Sequence, residues 1–254
     1  MNILSLETST KVFSLSISRD DKVLRFRNVK TARLLENSII KAIDKICLDA
    51  GIKFEKIDAF AIALGPGSFT SLRVGLATVK AFCMATGKPV VGVSSLDVIA
   101  AGLIDQPCDE ICVLNDARRG NVYAALYDKS GKRKGDHLLT TVEELLKQVH
   151  GKTFFVGDAL PLYRQHIEEA YKLHAKSTGA GCQAIFAKEA HWLPQAKLLS
   201  KLAYARLKNK DYDDAASLLP IYLYAQDCQV HKPWILKSSI MKQWSILWLG
   251  LRLI

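Results

Sequence analysis

The sequence predicts an α/β protein built from two lobes. Residues 1–100 carry the pattern of three strands followed by helix, strand, helix and strand, and a similar series begins after residue 101. The composition, 49% apolar and 24% charged, is that of an ordinary globular chain. We therefore predict a first lobe over 1–100, a second over 101–228, and an atypical apolar, basic tail over 229–254.

The first lobe begins with three short segments of alternating apolar residues, which predict antiparallel strands at 2–6, 12–18 and 22–28. Apolar residues at helical spacing then predict a helix over 34–50, which Gly51 ends. The remaining predicted elements are strand 59–64, helix 69–86 ended by Gly87, strand 89–93, and a short helix to 101 capped by Ser94 or Ser95.

The second lobe opens with two predicted strands, 111–115 and 121–127, around the polar turn 116–120. The sequence from Thr141 to Glu144 has the form of a capping box, so a helix to residue 149 follows it. The other predicted elements are an exposed turn at 129–132, strand 153–156, a turn at 157–158 and helix 195–208.

The net charge of +10 is unevenly placed. Residues 1–96 hold 14 basic and 8 acidic side chains, the middle of the chain is balanced, and the tail holds 4 basic and none acidic. Six cysteines are too few for a disulfide scaffold, and the first residues show no signal peptide, so we expect a reduced, cytoplasmic protein. The apolar run 244–254 is too short to span a bilayer.

Metal-site spacings are absent from the sequence. The six histidines include no pair four residues apart, and Cys108 and Cys112 have no second pair at zinc-site spacing. We expect these two cysteines to be buried thiols at the start of a strand.

The segment Gly65-Pro66-Gly67-Ser68 between a predicted strand and a predicted helix is the most specific stretch. Pro66 and Gly67 suit the centre of a type II turn, and Ser68 suits a helix N-cap. Such a turn is either an anion site or a tight connector that binds nothing. It matches neither a P-loop nor the dinucleotide fingerprint.

The helix predicted over 69–86 is apolar on nearly every side, which favours a partner helix on the side that the sheet does not cover. One stripe comprises Phe69, Leu72, Leu76, Val79 and Cys83, and the other sides carry Val74, Ala77, Ala81, Phe82 and Met84.

Five motifs together resemble the bacterial TsaB family over about residues 1–225. They are Glu7-Thr8-Ser9-Thr10, the stretch from Gly65 to Ala77, Gly92-Val93-Ser94-Ser95-Leu96, the stretch from Asp116 to Tyr123, and Leu219-Pro220-Ile221-Tyr222-Leu223. The resemblance implies two ribonuclease-H-like lobes, as in the actin, sugar-kinase and Hsp70 ATPases. It also implies a non-catalytic relative of TsaD, which transfers the threonylcarbamoyl group to the adenosine beside the tRNA anticodon.

The resemblance implies partners as well. A TsaD-like subunit would pair with the helices 34–50 and 69–86, a TsaE-like ATPase would join the pair, tRNA would be reached indirectly, and a homodimer is possible without TsaD. We expect no cofactor of the chain's own, with ATP and metal on the partner subunits. The expected interface residues are Leu35, Ile39, Ile43, Leu72, Leu76, Val79 and Cys83. A phosphate-loop remnant would comprise Glu7, Thr8, Ser9, Gly65, Gly67 and Ser68.

Some positions depart from the family or leave alternatives open. Leu35-Glu36-Asn37 replaces the expected His-Ser-Glu, and Ser71 replaces a glycine. Glu7 stands where related kinases carry an aspartate near the phosphates, or it is a surface carboxylate at a strand end. The tail is an interfacial anchor, an added packing helix, or the product of a shifted reading frame. The alternative functions are a catalytically active threonylcarbamoyl transferase or small-molecule kinase, and a hydrolase.

Overall fold

The computed structural model describes residues 1–30, 35, 38–104, 106–149, 151–178 and 182–224. The predicted tail, Glu36, Asn37 and the glycines at 179 and 181 lie outside these residues. The strands are β1 Asn2–Glu7, β2 Val12–Arg19, β3 Lys22–Lys30, β4 Ala59–Ala63, β5 Val90–Val93, β6 Glu110–Arg118, β7 Asn121–Asp128, β8 Arg133–Thr140, β9 Lys152–Val156 and β10 Gln183–Phe186. The helices are α1 Ile39–Ala50, α2 Phe69–Thr86, α3 Ser95–Ala100, α4 Val142–Leu146, α5 Leu160–Thr178 and α6 Ala196–Leu207.

The strands form two sheets of the same design, which confirms the predicted two-lobed α/β fold. The first sheet has the order β3-β2-β1-β4-β5 and the second the order β10-β9-β6-β7-β8. In each sheet an antiparallel meander of three strands is extended by two parallel strands, which helices connect. Each lobe is therefore one copy of the same strand and helix series, and each has its own buried core.

Two helices cross between the lobes. Helix α3 follows the first series, but its Leu96 and Ile99 are buried with Ile111 and Val113 of the second sheet. Helix α6 follows the second series and packs on the first sheet, where Leu199 is buried with residues of β1 and β4. The predicted range 101–228 for the second lobe is therefore wrong at its end, because α6 returns to cover the first sheet.

Serine side chains hold α6 in that position. Ser14 Oγ of β2 accepts a hydrogen bond from Ala196 N at 2.9 Å, and Ser16 Oγ donates to Ala196 O at 2.8 Å. All three residues are buried, so these bonds satisfy polar groups that have no access to water. The serine side chains of β2 therefore bind the start of helix α6, which lies 180 residues later in the chain.

Several elements differ from the sequence prediction. Helix α1 begins at Ile39 rather than at 34, and β8, α5 and β10 were not predicted. Strand β8 carries five charged or polar side chains and is mostly exposed or half-buried, so alternating apolar residues do not mark it. Gly51 and Gly87 do end their helices, each at a φ of 66°. Thr141 caps α4, with its side chain accepting a hydrogen bond from Glu144 N.

Cys108 and Cys112 are buried free thiols next to the start of β6 and within it, as expected from their sequence context. Among the described residues, no helix has both the length and the apolar composition that a membrane crossing requires.

An arginine anchors the segment that follows α6. The Arg206 guanidinium donates to both oxygens of Asp213 and to Gly92 O, and Asp213 Oδ2 accepts from Gly92 N. Its side chain and that of Asp213 are 31% and 28% exposed. The cluster ties residues 211–213 to β5, the edge strand of the first sheet.

We expect Arg206→Ala to lower the free energy of unfolding by about 2 kcal/mol, because a half-buried carboxylate and a carbonyl lose their donor. Urea denaturation followed by circular dichroism measures it. Lys147→Ala is the control, since Lys147 pairs with Glu144 at an exposed i,i+3 position, and it should cost less than about 1 kcal/mol. Equal effects of the two substitutions would contradict the anchoring role.

Candidate functional site

The loop after β1 and the turn after β4 meet at the predicted phosphate-loop remnant. Ser68 N donates to Ser9 O at 2.7 Å, which joins the two segments. The Gly65-Pro66 peptide bond is cis, and the positive φ belongs to Gly65 at +88°. The predicted type II turn, which needs a positive φ at Gly67, is therefore wrong. Ser68 is the N-cap of α2, but its hydroxyl donates to Ser71 Oγ instead of capping a backbone amide.

Two glycines permit this close approach. A Cβ on Gly67 would collide with the backbone carbonyl of Ser9, and a Cβ on Gly75 would collide with the side chain of Thr8. Neither glycine has a positive φ, so the requirement is space rather than backbone conformation. These contacts bring together four of the six predicted residues, namely Thr8, Ser9, Gly67 and Ser68. Gly75 also belongs to the contact, and the sequence analysis did not predict it as a site residue.

Glu7 is fully buried beneath this turn, so the interpretation as a surface carboxylate is wrong. Its Oε1 accepts from Ser9 N at 2.6 Å and its Oε2 accepts from Ser95 Oγ at 3.0 Å. Burial raises the pKa of the Glu7 carboxyl, while the hydrogen bonds from Ser9 and Ser95 oppose that rise. Glu7 therefore connects β1 to α3 inside the protein and lies below the surface of the turn.

A cleft of about 680 Å³ lies above the turn, between the two lobes. The first lobe supplies Ser9 to Val12 and Pro66 to Ser68, and the second lobe supplies Asn115 to Arg118, Tyr123, Asp158 and Leu193. Of the predicted remnant, Ser9, Gly67 and Ser68 line the cleft, whereas Glu7, Thr8 and Gly65 do not. The second-lobe contribution was missed as a site, although Asp116 to Tyr123 stood out as a motif.

Helix α3 links the turn that begins at Gly65 to the second lobe. Ser95 N donates to Gly65 O on the first-lobe side. On the other side Asp97 accepts from Tyr127 OH at 2.7 Å and from Arg133 at 3.1 and 3.2 Å. Arg133 Nη1 also lies 2.7 Å from His137 Nε2. A charged guanidinium can only donate, so the geometry requires His137 to accept and to be neutral.

We expect acid to weaken this link through His137. Burial and the charge of Arg133 lower the pKa of His137 below its ordinary value of about 6.5. Because the folded-state pKa is the lower one, His137 contributes full stability above about pH 6.5 and loses it as pH falls through the folded pKa. Stability measured between pH 7.5 and 5 should therefore fall more in the wild type than in His137→Gln. If the free energy of unfolding falls equally with pH in the wild type and in His137→Gln, the role assigned to His137 is contradicted.

All seven predicted interface residues lie in the chain's own core. Leu72, Leu76, Val79 and Cys83 of α2 are at most 6% exposed, and Leu35, Ile39 and Ile43 at most 7%. The first sheet covers this stripe of each helix, and both helices pack on the same face of that sheet. The assignment of these residues to a partner interface is therefore wrong.

The opposite sides of α1 and α2 carry exposed apolar side chains, which on α1 alternate with the charged residues Lys41, Asp44 and Lys45. Ile40, Leu48 and Met84 are 48%, 81% and 85% exposed, and Ala77 and Ala81 are also exposed. We call these five residues the outer helix face. Its α2 residues, Ala77, Ala81 and Met84, are among the apolar residues that the sequence places outside the first stripe of this helix. That pattern was the signal that could have identified them.

Within the described ranges, no group of three or more His, Cys, Asp or Glu side chains is arranged to hold a metal ion.

The comparisons with known proteins agree with this architecture. The family model of TsaD, tRNA N6-adenosine threonylcarbamoyltransferase, matches residues 29–234. The TsaB threonylcarbamoyladenosine biosynthesis protein of Bacillus subtilis is 26% identical over 92% of this chain and 98% of its own length. Its Escherichia coli counterpart is 28% identical over 62% of this chain and 71% of its own length.

Among solved structures, a Pseudomonas aeruginosa protein described as similar to the peptidase YeaZ has the same fold. It aligns with a TM-score of 0.70 and 23% identity, covering 88% of this chain and 99% of that one. A putative N-acetylmannosamine kinase from Listeria monocytogenes shares the fold more distantly, with a TM-score of 0.51, 11% identity, and coverage of 82% and 100%. The chain belongs to the family of the tRNA N6-adenosine threonylcarbamoyltransferase TsaD, where TsaB proteins are its relatives over most of its length.

Proposed function

We propose that this chain is a TsaB-type subunit that serves threonylcarbamoyladenosine synthesis in the cytoplasm by docking on a catalytic TsaD-like subunit, and that it has no catalytic activity itself. The observation that carries the proposal is the outer helix face. Its apolar side chains lie on two helices that are otherwise packed on the first sheet. Contiguous exposed apolar surface marks protein–protein contacts, and these five side chains are what the two helices would contribute to such a surface.

The chemistry of the outer helix face suits a helical partner. Ala77 and Ala81 are one turn apart on α2 and exposed, so a partner helix can approach closely at this point. Leu48 and Met84, the most exposed large apolar side chains on the two helices, would supply the contact area. A TsaE-like ATPase joining the pair, and a homodimer through the same face in the absence of TsaD, remain part of the proposal.

The histidine spacing of the chain supports the lack of catalysis. The expected metal ligands of a TsaD-like enzyme are two histidines four residues apart on one helix, and the six histidines of this chain include no such pair. Imidazole ligands have no substitute at Leu35-Glu36-Asn37, where one carboxylate stands alone. ATP and metal would then be held by the partner subunits, and tRNA would be reached through them.

Reconstitution tests this proposal. The chain, its cognate TsaD-like and TsaE-like subunits, ATP and a threonylcarbamoyl donor are combined with unmodified tRNA, and each protein is omitted in turn. We expect modified adenosine only when this chain and the TsaD-like subunit are both present. Modification by this chain without the TsaD-like subunit would overturn the proposal and favour an active transferase. Undiminished modification without this chain would overturn the docking role.

A further inference from the structure

Helix α6 and the two residues that follow its C-cap carry basic side chains and no acidic one. Between Ala196 and Lys210 the sequence holds four lysines, Arg206 and no aspartate or glutamate. Helices α1 and α5, in contrast, carry carboxylates as well as lysines. The middle of the chain is balanced in total charge, so this local excess of positive charge becomes apparent only when α6 is considered by itself.

Three of the lysines lie on one side of α6 together with a tyrosine. At 3.6 residues per turn, positions 197, 201, 204 and 208 fall within about 60° of one another around the helix axis. The buried side chains of α6 point elsewhere, into the first sheet. Lys201 and Lys208 are exposed, and Lys197 and Tyr204 are half-buried. We call these four residues the α6 stripe.

The lysines of the α6 stripe are not neutralised by carboxylates. Within the part of the chain that the structure describes, none of the three takes part in an ion pair. The ammonium group of Lys197 lies 5.2 Å from the centre of the Phe26 ring. Asp211 follows the helix, but its oxygens accept hydrogen bonds from Arg206. The positive charge of the stripe is therefore available to a partner.

The length of the α6 stripe indicates what kind of anion it fits. Positions 197 and 208 lie ~16 Å apart along the helix axis, which is too far for one small anion to bridge. A nucleic acid presents phosphates in closely spaced rows, and neutralising them with lysines releases bound counterions. Tyr204 within the stripe adds an aromatic ring that a base or sugar can contact. A membrane-binding helix would instead expose large aliphatic side chains next to its lysines.

The α6 stripe and the outer helix face lie on opposite sides of the first sheet. Ser14 and Ser16 of β2 face α6, whereas Phe13 and Leu15 of the same strand lie in the core beneath α1 and α2. Successive side chains of a strand point to opposite faces. A nucleic acid on the stripe would therefore leave the outer helix face free for a protein partner.

We propose that the α6 stripe binds the sugar–phosphate backbone of RNA, with Lys197, Lys201 and Lys208 each neutralising a phosphate. Contacts to phosphates position a nucleic acid without reading its bases. This inference deepens the proposed function and rests on it only for the choice of tRNA as the RNA. The partner subunits would bring the tRNA, and the stripe adds a contact from this chain.

The test measures binding of fluorescently labelled, unmodified tRNA to the full chain without its partners. Fluorescence anisotropy gives the affinity at salt concentrations from about 50 to 200 mM, the range over which phosphate contacts weaken most visibly. The stripe variant combines Lys197→Gln, Lys201→Gln and Lys208→Gln, and circular dichroism verifies that it folds. Polyglutamate of similar charge is the competing ligand, because it represents an acidic protein surface.

A second triple variant controls for the change in net charge. It combines Lys129→Gln, Lys132→Gln and Lys172→Gln, which remove the same charge from exposed positions of the second lobe. Its affinity for tRNA should stay within ~3-fold of the wild type, because charges distant from the contact are screened by salt.

We expect the wild type to bind tRNA at ~50 mM salt and the stripe variant to bind ~10-fold or more weakly. The slope of log affinity against log salt should be less steep by ~2–3 in the stripe variant, because each lost phosphate contact removes ~0.7–0.9. The proposal is overturned if the wild type does not bind tRNA, if both triple variants lose affinity equally, or if polyglutamate binds as tightly as tRNA.

The docking proposal is tested separately on the same variants. The stripe variant should still co-elute with the TsaD-like subunit on a sizing column, since the outer helix face is unchanged. Pairing without any effect of the stripe on tRNA binding would overturn this inference alone. Stripe-dependent tRNA binding without pairing would overturn the docking role alone.

Discussion

Leu76→Asp is expected to prevent folding, whereas Ala81→Asp combined with Met84→Asp is expected to leave folding intact and abolish pairing with the TsaD-like subunit. Leu76 is 6% exposed and lies in the core beneath α2. Its replacement loses apolar burial and places a carboxylate in an apolar environment, which together cost about 4 kcal/mol or more. That is a large part of the total stability of a typical domain.

The surface pair acts differently because its side chains already face water. Met84 is 85% exposed and Ala81 is exposed, so aspartate at either position leaves the core unchanged. Two carboxylates at the centre of an apolar interface would remain unpaired and weaken association ~30-fold or more, which corresponds to about 2 kcal/mol.

Circular dichroism and co-elution on a sizing column separate these outcomes. Leu162→Asp is the control, because Leu162 is 65% exposed on α5 of the second lobe and lies away from the outer helix face. It should retain both folding and pairing. A folded, pairing-competent surface double variant would show that the partner docks elsewhere.

Gly75→Ala is the second substitution with a large expected effect, and its direction is opposite to that expected from helix propensity. Alanine in place of glycine within a helix ordinarily stabilises by about 1 kcal/mol. Here the added Cβ would collide with the Thr8 side chain, which is fully buried. Overpacking of this kind costs about 1–3 kcal/mol, so we expect a net loss of stability.

The collision can be relieved from the other side. Thr8→Ala removes Oγ1 and Cγ2, the two atoms that the new Cβ would approach most closely, and leaves only Thr8 Cβ at 3.1 Å. Within the described residues Thr8 Oγ1 has no hydrogen-bond partner, so this substitution alone sacrifices no such bond. The double variant Gly75→Ala with Thr8→Ala should therefore be more stable than Gly75→Ala alone. A double-mutant cycle should give a coupling free energy of about 1 kcal/mol or more between the two substitutions. If the two substitutions have additive effects on the free energy of unfolding in urea, the side chains at positions 8 and 75 do not clash, and the prediction is contradicted.

Local sequence signals predicted much of the first lobe and the start of one helix in the second. The alternation in β1 and β2, the glycines that end α1 and α2, and the capping box before α4 depend on residues close together in the chain, so each was visible directly. Helix α5 also had a local signal, since Leu160, Ile167 and Tyr171 recur at helical spacing and are buried. The prediction omitted it although the periodicity was present.

The errors concern contacts between distant segments. Both stripes of α2 are apolar, and only the position of the sheet decides that Leu76 faces inward and Met84 outward. The exchange of α3 and α6 between the lobes likewise depends on contacts far apart in sequence, such as that between Ser16 and Ala196. The cleft combines loops from both lobes, so the sequence pointed to its first-lobe turn and missed the Asp116–Arg118 wall as a site.

Hydrogen exchange of the chain alone and in complex with its TsaD-like subunit tests the docking account most directly. Backbone amides of α1 and α2 are expected to exchange more slowly in the complex, while those of β8 and α5 in the second lobe remain unchanged. That pattern would place the partner on the helices that carry Ile40, Leu48, Ala77, Ala81 and Met84. Unchanged exchange in α1 and α2, together with protection in the second lobe, would contradict the account.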